Sequence, residues 1–127
     1  MNYLDMWYRA DFCVDGKKFW SVGQYMVHAH AILLGEGDIS GRVCECTERS
    51  EVAELDRLLP NTTSWLLRYT MNLREGIESK LWCNESLMRQ FLCEGDIDSV
   101  VDASDNVDVG KAVIMEVYRS LAIKGGI

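Results

Sequence analysis

The stretch SVGQYMVHAHAILLGEGD, from Ser21 to Asp38, limits the fold of this chain more than any other part of the sequence. It holds a near-continuous apolar run of helical length, which favours a buried α-helix over a strand. Ser21, with Gln24 three residues later, has the pattern of a capping box at the start of a helix. Gly35 and Gly37 mark the end of the run. The sequence therefore predicts a helix with almost no polar face, which the rest of the protein has to cover.

Further elements are predicted on both sides of this helix. Asp15-Gly16 in DFCVDGKKFW predicts the turn of a β-hairpin. DSVVDAS predicts a short strand near the other end of the chain. Amphipathic spacing and capping residues predict four more helices, in ERSEVAELDRLL, NTTSWLLRYTMNLREGIESKLWC, NESLMRQFLCEG and DVGKAVIMEVYRSLA. We therefore expect an α+β fold, a mostly helical single domain over residues 1–127 around a small β-sheet.

Composition excludes several classes of protein. The chain has 127 residues, of which 48% are hydrophobic, and this supports one domain with a real core. Its 13 basic and 20 acidic residues give a net charge of −7, which argues against direct nucleic-acid binding, because that needs basic surface. No apolar run reaches the roughly 20 residues that span a bilayer, and the N-terminus lacks a signal-peptide pattern. We expect a cytoplasmic protein that does not contact the membrane.

Two histidines and two cysteines raise the question of a zinc site. His28 and His30 stand in HAH, and Cys44 and Cys46 stand in CEC. Two residues that are two positions apart on a helix point about 200° away from each other, so the histidines are poor co-ligands. We expect no metal and no cofactor, with one histidine buried and hydrogen-bonded and the other partly exposed. The odd number of five cysteines, without a secretory signal, predicts reduced thiols.

Catalytic motifs of the common kinds are absent, but aromatic and cationic residues suggest possible binding roles. The sequence has no phosphate-binding loop, no dinucleotide fingerprint, no nucleophile elbow and no H-E-x-x-H. Most of the four tryptophans are expected in the core, and one or two could stack on a base. Arg68 and Lys80 lie on a helix whose neighbours are apolar. Each of these cations either binds an anionic ligand or extends its charged end to solvent.

Three segments resemble the NADAR domain, the family of YbiA-like N-glycosidases that act on ADP-ribose-linked or ribose-phosphate-linked substrates. DMWYRADFCVDGKKFWSVGQYMVHAHAILLGEGDI is similar to the family's opening, S-N-W-Y-x-x-x-F-x-V-D-G-x-x-Y-x-S-x-E-Q-Y-M-M-x-x-K-A. WLLRYTMNLREGIESKLWCNESLMRQFL is similar to W-x-x-x-R-x-x-I-x-x-x-G-x-x-A-K-F-x-Q-N-x-x-L. VGKAVIMEVYRSL is similar to the closing G-x-x-L-M-x-V-R-x-x-L. The likeness runs in order over about residues 5 to 121 and implies a NADAR fold.

The chain departs from the family pattern where the family's active site lies. The family's opening asparagine falls at Met6, its glutamate at Gly23 and its lysine at His30. Its late D-x-x-W-G-x-G loop is missing before the last helix. The positions that match the family are Gln24, Tyr25, Trp65, Lys80 and Asn84, and Arg57 stands where the family has an arginine, with Asp56 in place of the preceding glycine. The resemblance implies that these six residues, Arg57 included, bind the ligand.

The departures imply that the family reaction is lost, because cleavage of an N-glycosidic bond needs charge that stabilises an oxocarbenium-like transition state. We expect a non-catalytic protein with one of two roles. It binds or sequesters an ADP-ribose-like or cyclic nucleotide, as a phage or mobile-element counter-defence factor would, or it docks a partner protein. The alternative is an active N-glycosidase with a site rebuilt from His30, Lys80 and Asp102. A homo-oligomer is left open.

Overall fold

The computed structural model describes residues 1–125. These residues form a two-stranded sheet and seven helices, so the expected α+β class with mostly helical content is confirmed. In chain order the elements are β1 (Phe12–Val14), β2 (Lys17–Phe19), α1 (Val22–Leu33), α2 (Gly37–Glu45), α3 (Arg49–Asp56), α4 (Thr63–Trp82), α5 (Glu85–Leu92), α6 (Ile97–Ala103) and α7 (Asp108–Gly125).

The β-hairpin has the predicted turn. β1 and β2 pair antiparallel, with Phe12 opposite Phe19. Asp15 and Gly16 both have positive φ, at 51° and 78°, which is the conformation of a type I′ turn. Phe12 and Phe19 are buried and both contact the ring of Tyr25 edge-on. The turn thus aligns two aromatic side chains that attach the hairpin to α1.

The first helix begins and ends close to the predicted positions. The Ser21 hydroxyl accepts a hydrogen bond from the backbone N–H of Gln24 at 3.1 Å. The Gln24 side chain returns to the backbone N–H of Trp20 at 2.8 Å, so the reciprocal bond of a capping box is shifted by one residue. α1 stops at Leu33, and Gly35 at φ +73° takes the left-handed conformation that follows a helix end.

Two hydrophobic clusters flank α1, and α1 contributes to both. The smaller cluster joins α1 to α2 and α3 through Val27, Ala31, Val43, Val52 and Leu55, together with Leu59. The larger cluster is built from the N-terminal segment, the hairpin, α1 and helices α4 to α7. The apolar faces of α4 and α7 lie in it, because Trp65, Leu73 and Ile77 are buried with Tyr69 half-buried, and Val113, Val117 and Leu121 are buried, whereas Val109 is exposed.

One predicted element is wrong, and one helix was not predicted. DSVVDAS is not a strand, because most of it forms α6. The Asp96 carboxylate caps that helix by accepting from the backbone N–H of Ser99 at 3.2 Å, and Ile97 and Val101 are buried four residues apart. Helix α2 follows Glu36 and places Val43 in the core, although its two glycines read as loop. None of the helices within residues 1–125 is long and apolar enough to span a membrane.

Candidate functional site

The side of α1 that carries Gly23 is covered by the N-terminal segment. A Cβ atom at Gly23 would lie 2.5 Å from the nearest ring carbon of Trp7, far inside van der Waals contact. The backbone N–H of Gly23 also donates to the Met6 carbonyl at 2.9 Å. The Trp7 indole contacts the Trp20 ring and lies 4.9 Å below the Arg49 guanidinium. Because the indole occupies the space beside Gly23, no larger side chain fits at this position unless Trp7 moves.

Lys80 is buried beneath the same N-terminal segment and is directed at the main chain. Its Nζ donates to the Tyr3 carbonyl at 2.5 Å and to the Asp5 carbonyl at 3.4 Å, and the side chain is only 3% exposed. Burial lowers the pKa of Lys80 to about 8, and Asp5 partly opposes this. The space beside it, lined by Met6, Val22 and seven other residues, measures about 10 Å³, which holds at most one water.

The two histidines of α1 contact different parts of the protein. His30 stacks on Trp65, with the rings parallel and 4.5 Å apart, and its Nε2 lies 2.9 Å from the Pro60 carbonyl. His28 places Nδ1 3.2 Å from the Ser40 carbonyl and 3.4 Å from the Cys44 sulfur. Both are buried, so the expectation that one is partly exposed is wrong. Within the described residues no group of three or more His, Cys, Asp or Glu side chains could hold a metal ion.

Three further predicted residues make contacts that support the fold. Gln24 is 1% exposed and its amide donates to the Val43 carbonyl at 3.0 Å, which ties α1 to α2. Asn84 donates to the Asp11 and Lys80 carbonyls at 2.9 and 2.8 Å. Asp102 is exposed, and its backbone carbonyl accepts from Lys111. The side-chain amides of Gln24 and Asn84 are thus turned towards protein groups, whereas the Asp102 carboxylate faces solvent.

The predicted site residues do not meet in one place. Trp65 and Lys80 lie fifteen residues apart in α4, which separates them by about 22 Å along the helix. His30 stacks on Trp65 near the start of α4, whereas Lys80 lies near its end. Arg57 is exposed just after the end of α3. The structure therefore does not assemble His30, Lys80 and Asp102 into one catalytic group, nor the six ligand-binding candidates into one pocket.

An open cleft lies on another side of α1, and of the predicted residues it contains Tyr25 and the cation Arg68. Its volume is about 350 Å³, inside the range of small-molecule sites. It is bounded by the hairpin, α1 and α4. The lining residues are Val14, Asp15, Lys17, Phe19, Tyr25, His28, Ala29, Ile32, Leu33, Arg68, Asn72 and Glu75.

Two cations of the cleft form no ion pair within the described residues. Lys17 and Arg68 are exposed, and within the part of the chain that the structure describes no carboxylate oxygen approaches either of them within 4.0 Å. Asp15 and Glu75 line the same cleft, so its formal charges cancel. Both cations are therefore available to an anionic group of a ligand, while the carboxylates can accept hydrogen bonds from ligand hydroxyls.

Tyr25 and His28 form the inner polar wall of the cleft. Burial, with a smaller contribution from the Glu75 carboxylate, raises the pKa of Tyr25 well above its ordinary value, so its hydroxyl stays protonated. Burial lowers the pKa of His28, which keeps the imidazole neutral at neutral pH. The Ser40 carbonyl can only accept, so the proton is assigned to Nδ1 and Nε2 is an acceptor. The wall thus carries one protonated hydroxyl and one neutral imidazole.

The sequence contained a signal for the cleft that was not used. Arg68, Asn72 and Glu75 are spaced four and three residues apart, which places them on one face of a helix. Lys17 follows the hairpin turn directly. What the sequence could not show is that this face of α4 meets the hairpin and α1, because that depends on tertiary packing.

Comparisons with protein-family models, with curated proteins and with solved structures found no match to this chain. The NADAR resemblance accordingly remains a prediction.

Proposed function

We propose that the protein is a non-catalytic binding protein that holds a nucleotide-like small molecule in the cleft between the hairpin, α1 and α4. The observation that carries the proposal is the pair of cations, Lys17 and Arg68, at an open cleft that also has an apolar wall and convergent polar groups. Pockets of this composition are typical of small-ligand sites. The ligand class follows from the chemistry of the lining.

A phosphate-bearing nucleoside, such as an ADP-ribose-like molecule or a cyclic nucleotide, suits the lining better than a purely apolar ligand. Its phosphates would be bound by Lys17 and Arg68 through charge-assisted hydrogen bonds. Its ribose hydroxyls would donate to Glu75, and a base amino group would donate to Nε2 of His28. Sequestration of such a nucleotide is the role that a counter-defence factor would perform.

Binding is proposed in preference to N-glycosidase chemistry because of where the reactive groups lie. Gly23 supplies no carboxylate, and His30, Lys80 and Asp102 have separate surroundings. A reaction that passes through an oxocarbenium-like transition state needs its charged groups to act together on one bond. The active N-glycosidase is retained as the alternative, and it requires release of ADP-ribose or free base from a labelled substrate.

Isothermal titration calorimetry tests the proposal with ADP-ribose, NAD, a cyclic dinucleotide and inorganic phosphate. We expect at least one nucleotide to bind. Arg68→Ala and Lys17→Ala should each weaken that binding about 10- to 100-fold, because one hydrogen bond to a charged group contributes roughly 1.5–3 kcal/mol. The same samples, followed by chromatography, should show no release of base or ADP-ribose.

Lys18→Ala is the matched control. Lys18 is the next residue on β2, it is equally exposed, and it pairs with Asp11 at 3.2 Å instead of lining the cleft. We expect this variant to bind like the wild type. The proposal is overturned if no nucleotide gives binding heat. If the wild type turns over a substrate and His30→Ala abolishes that turnover, the enzymatic alternative replaces the proposal.

A further inference from the structure

One ring nitrogen of His28 has no hydrogen-bond partner among the described residues, although the side chain is only 8% exposed. The two polar neighbours of the imidazole, the Ser40 carbonyl at 3.2 Å and the Cys44 sulfur at 3.4 Å, both lie at Nδ1. In the part of the chain that the structure describes, every side-chain nitrogen or oxygen that is sealed from solvent has a partner. Nε2 has none, so it is not sealed. Because His28 lines the cleft, this accessible nitrogen belongs to the cleft wall.

Nε2 of His28 is an acceptor of hydrogen bonds and not a donor. The Ser40 carbonyl can only accept, so Nδ1 carries the proton of the neutral ring. Burial lowers the pKa of His28, and the Lys17 ammonium adds to this effect, while the hydrogen bond to Ser40 opposes it. A neutral imidazole protonated at Nδ1 has a lone pair at Nε2. That lone pair recognises an N–H or O–H group and repels another acceptor.

An apolar surface of α1 adjoins this acceptor. Ile32 lies one helical turn after His28, lines the cleft and is 52% exposed, although it is large and apolar. Ala29 and Leu33 line the cleft beside it. A flat ring that covers Ile32 has its edge within one turn of His28. An apolar surface with one acceptor at its border is a combination that holds a heteroaromatic base by its face and reads one group on its edge.

We propose that His28 makes the cleft selective for adenine over hypoxanthine and guanine; this inference rests on the proposed function. Adenine carries an amino group at position 6 of the purine, whereas guanine and hypoxanthine carry a carbonyl there. The amino group donates to Nε2 of His28. A carbonyl at the same place sets two acceptors against each other, and both are left without a donor.

The same lone pair determines how the nucleotide lies in the cleft. A phosphate oxygen can only accept, so Nε2 of His28 does not bind it. The phosphates are bound instead by Lys17 and Arg68, which form no ion pair within the described residues. The base therefore lies against α1, and the cations bind the other end of the nucleotide.

Calorimetry with matched pairs of ligands tests the selectivity. The pairs are AMP with IMP, and ADP-ribose with inosine diphosphate ribose, so that only the group at position 6 of the purine differs. We expect the adenine member of each pair to bind at least about tenfold more tightly, because the hypoxanthine member leaves acceptors unpaired. Purine riboside monophosphate, which has hydrogen at position 6, should bind with an affinity between those of AMP and IMP.

Two variants separate recognition of the base from recognition of the phosphate. His28→Asn keeps an N–H for the Ser40 carbonyl but removes Nε2, so the ratio of AMP to IMP affinity should fall to about one. Arg68→Ala is the matched control: it should weaken AMP and IMP equally and leave their ratio unchanged, because Arg68 binds the phosphate.

The outcomes distinguish this inference from the proposed function. If the wild type binds AMP and IMP equally, or binds IMP more tightly, the selectivity is wrong while nucleotide binding stands. A preference for AMP that persists in His28→Asn also overturns the role of His28. If neither member of either pair binds, and no other nucleotide does, the proposed function fails and the selectivity fails with it. The comparison of AMP with IMP uses the wild-type protein, so it does not depend on the folding of any variant.

Discussion

The two sides of α1 show how one helix can border a closed site and an open one. Under the N-terminal segment, the Trp7 indole fills the space against Gly23, Lys80 is committed to backbone carbonyls, and the cavity beside Lys80 measures only about 10 Å³. On the side of Tyr25, the cleft keeps about 350 Å³ and two cations that form no ion pair among the described residues. Whether a cation can bind a ligand therefore depends on whether its hydrogen bonds are already made to the protein.

The comparison also explains the unusual glycine in the first turn of α1. The resemblance places a family glutamate at this position, and the structure places the Trp7 ring against it. A side chain as large as glutamate does not fit at this position while the indole stays in place. The cleft lined by Tyr25 provides about 350 Å³ of room beside α1.

Removal of Lys80 should have the largest effect on the closed side. Lys80→Ala deletes a buried stem and leaves the Tyr3 carbonyl without its donor, so we expect a loss of about 3–5 kcal/mol in the free energy of unfolding. Lys80→Met keeps most of the stem and should cost about 1–3 kcal/mol. Urea unfolding measures both. A cost below about 1 kcal/mol for Lys80→Ala would contradict the closed, packed site.

The pH dependence of the free energy of unfolding, compared between the wild type and Lys80→Met, tests the charge of Lys80. Its pKa is about 8 in the folded protein and 10.5 ordinarily, so between those values only the unfolded chain keeps the proton. Rising pH therefore favours folding, by up to about 1.4 kcal/mol per pH unit. From pH 8 to 9.5 the wild type should gain stability relative to Lys80→Met. A flat difference would show that the ammonium is not desolvated.

The contact between Gly23 and Trp7 should give the next largest effect. Gly23→Ala places a methyl group inside the indole, and overpacking of this kind costs about 1–3 kcal/mol. In a Trp7→Ala background the same change should cost less than about 0.5 kcal/mol, because the obstacle is gone. Gly41→Ala in α2, where nothing lies within 4 Å of the added Cβ, is the control and should stabilise the protein by roughly 0.5–1 kcal/mol. Equal costs of Gly23→Ala in the wild-type and Trp7→Ala backgrounds would show that Trp7 is not what excludes a side chain at position 23.

Loss of the contact between Arg49 and the Trp7 ring should have the smallest effect on the free energy of unfolding. The Arg49 guanidinium lies 4.9 Å from the Trp7 ring at an exposed position, where such a contact contributes about 0.5–1 kcal/mol. We expect Arg49→Ala to lower stability by that amount in urea unfolding. Arg57→Ala, at an exposed position without an aromatic ring beneath it within the described residues, should change stability by less than about 0.5 kcal/mol. A larger loss of stability for Arg57→Ala than for Arg49→Ala would contradict this prediction.

Local patterns predicted most of the elements, and tertiary packing decided the site. Asp15-Gly16 and the cap at Ser21 work over a few residues, so the hairpin and α1 were predictable. DSVVDAS was read as a strand from its valines, although the Asp96 cap and the spacing of Ile97 and Val101 pointed to a helix. Nothing local distinguishes Lys80, which is buried, from Arg68, which is exposed on the same helix. Their environments depend on which segments pack against α4.

Amide chemical shifts, followed during titration with the nucleotide that binds in calorimetry, test the central claim most directly. The claim is that ligand enters the cleft and not the space beside Gly23. We predict that the amides of Lys17, Ala29 and Asn72 shift with the ligand, while the amide of Gly23, against the Trp7 ring, and that of Leu81, beside the cavity of about 10 Å³, stay unchanged. Shifts confined to Gly23 and Leu81 would contradict the account, because they would show that the closed side opens to bind.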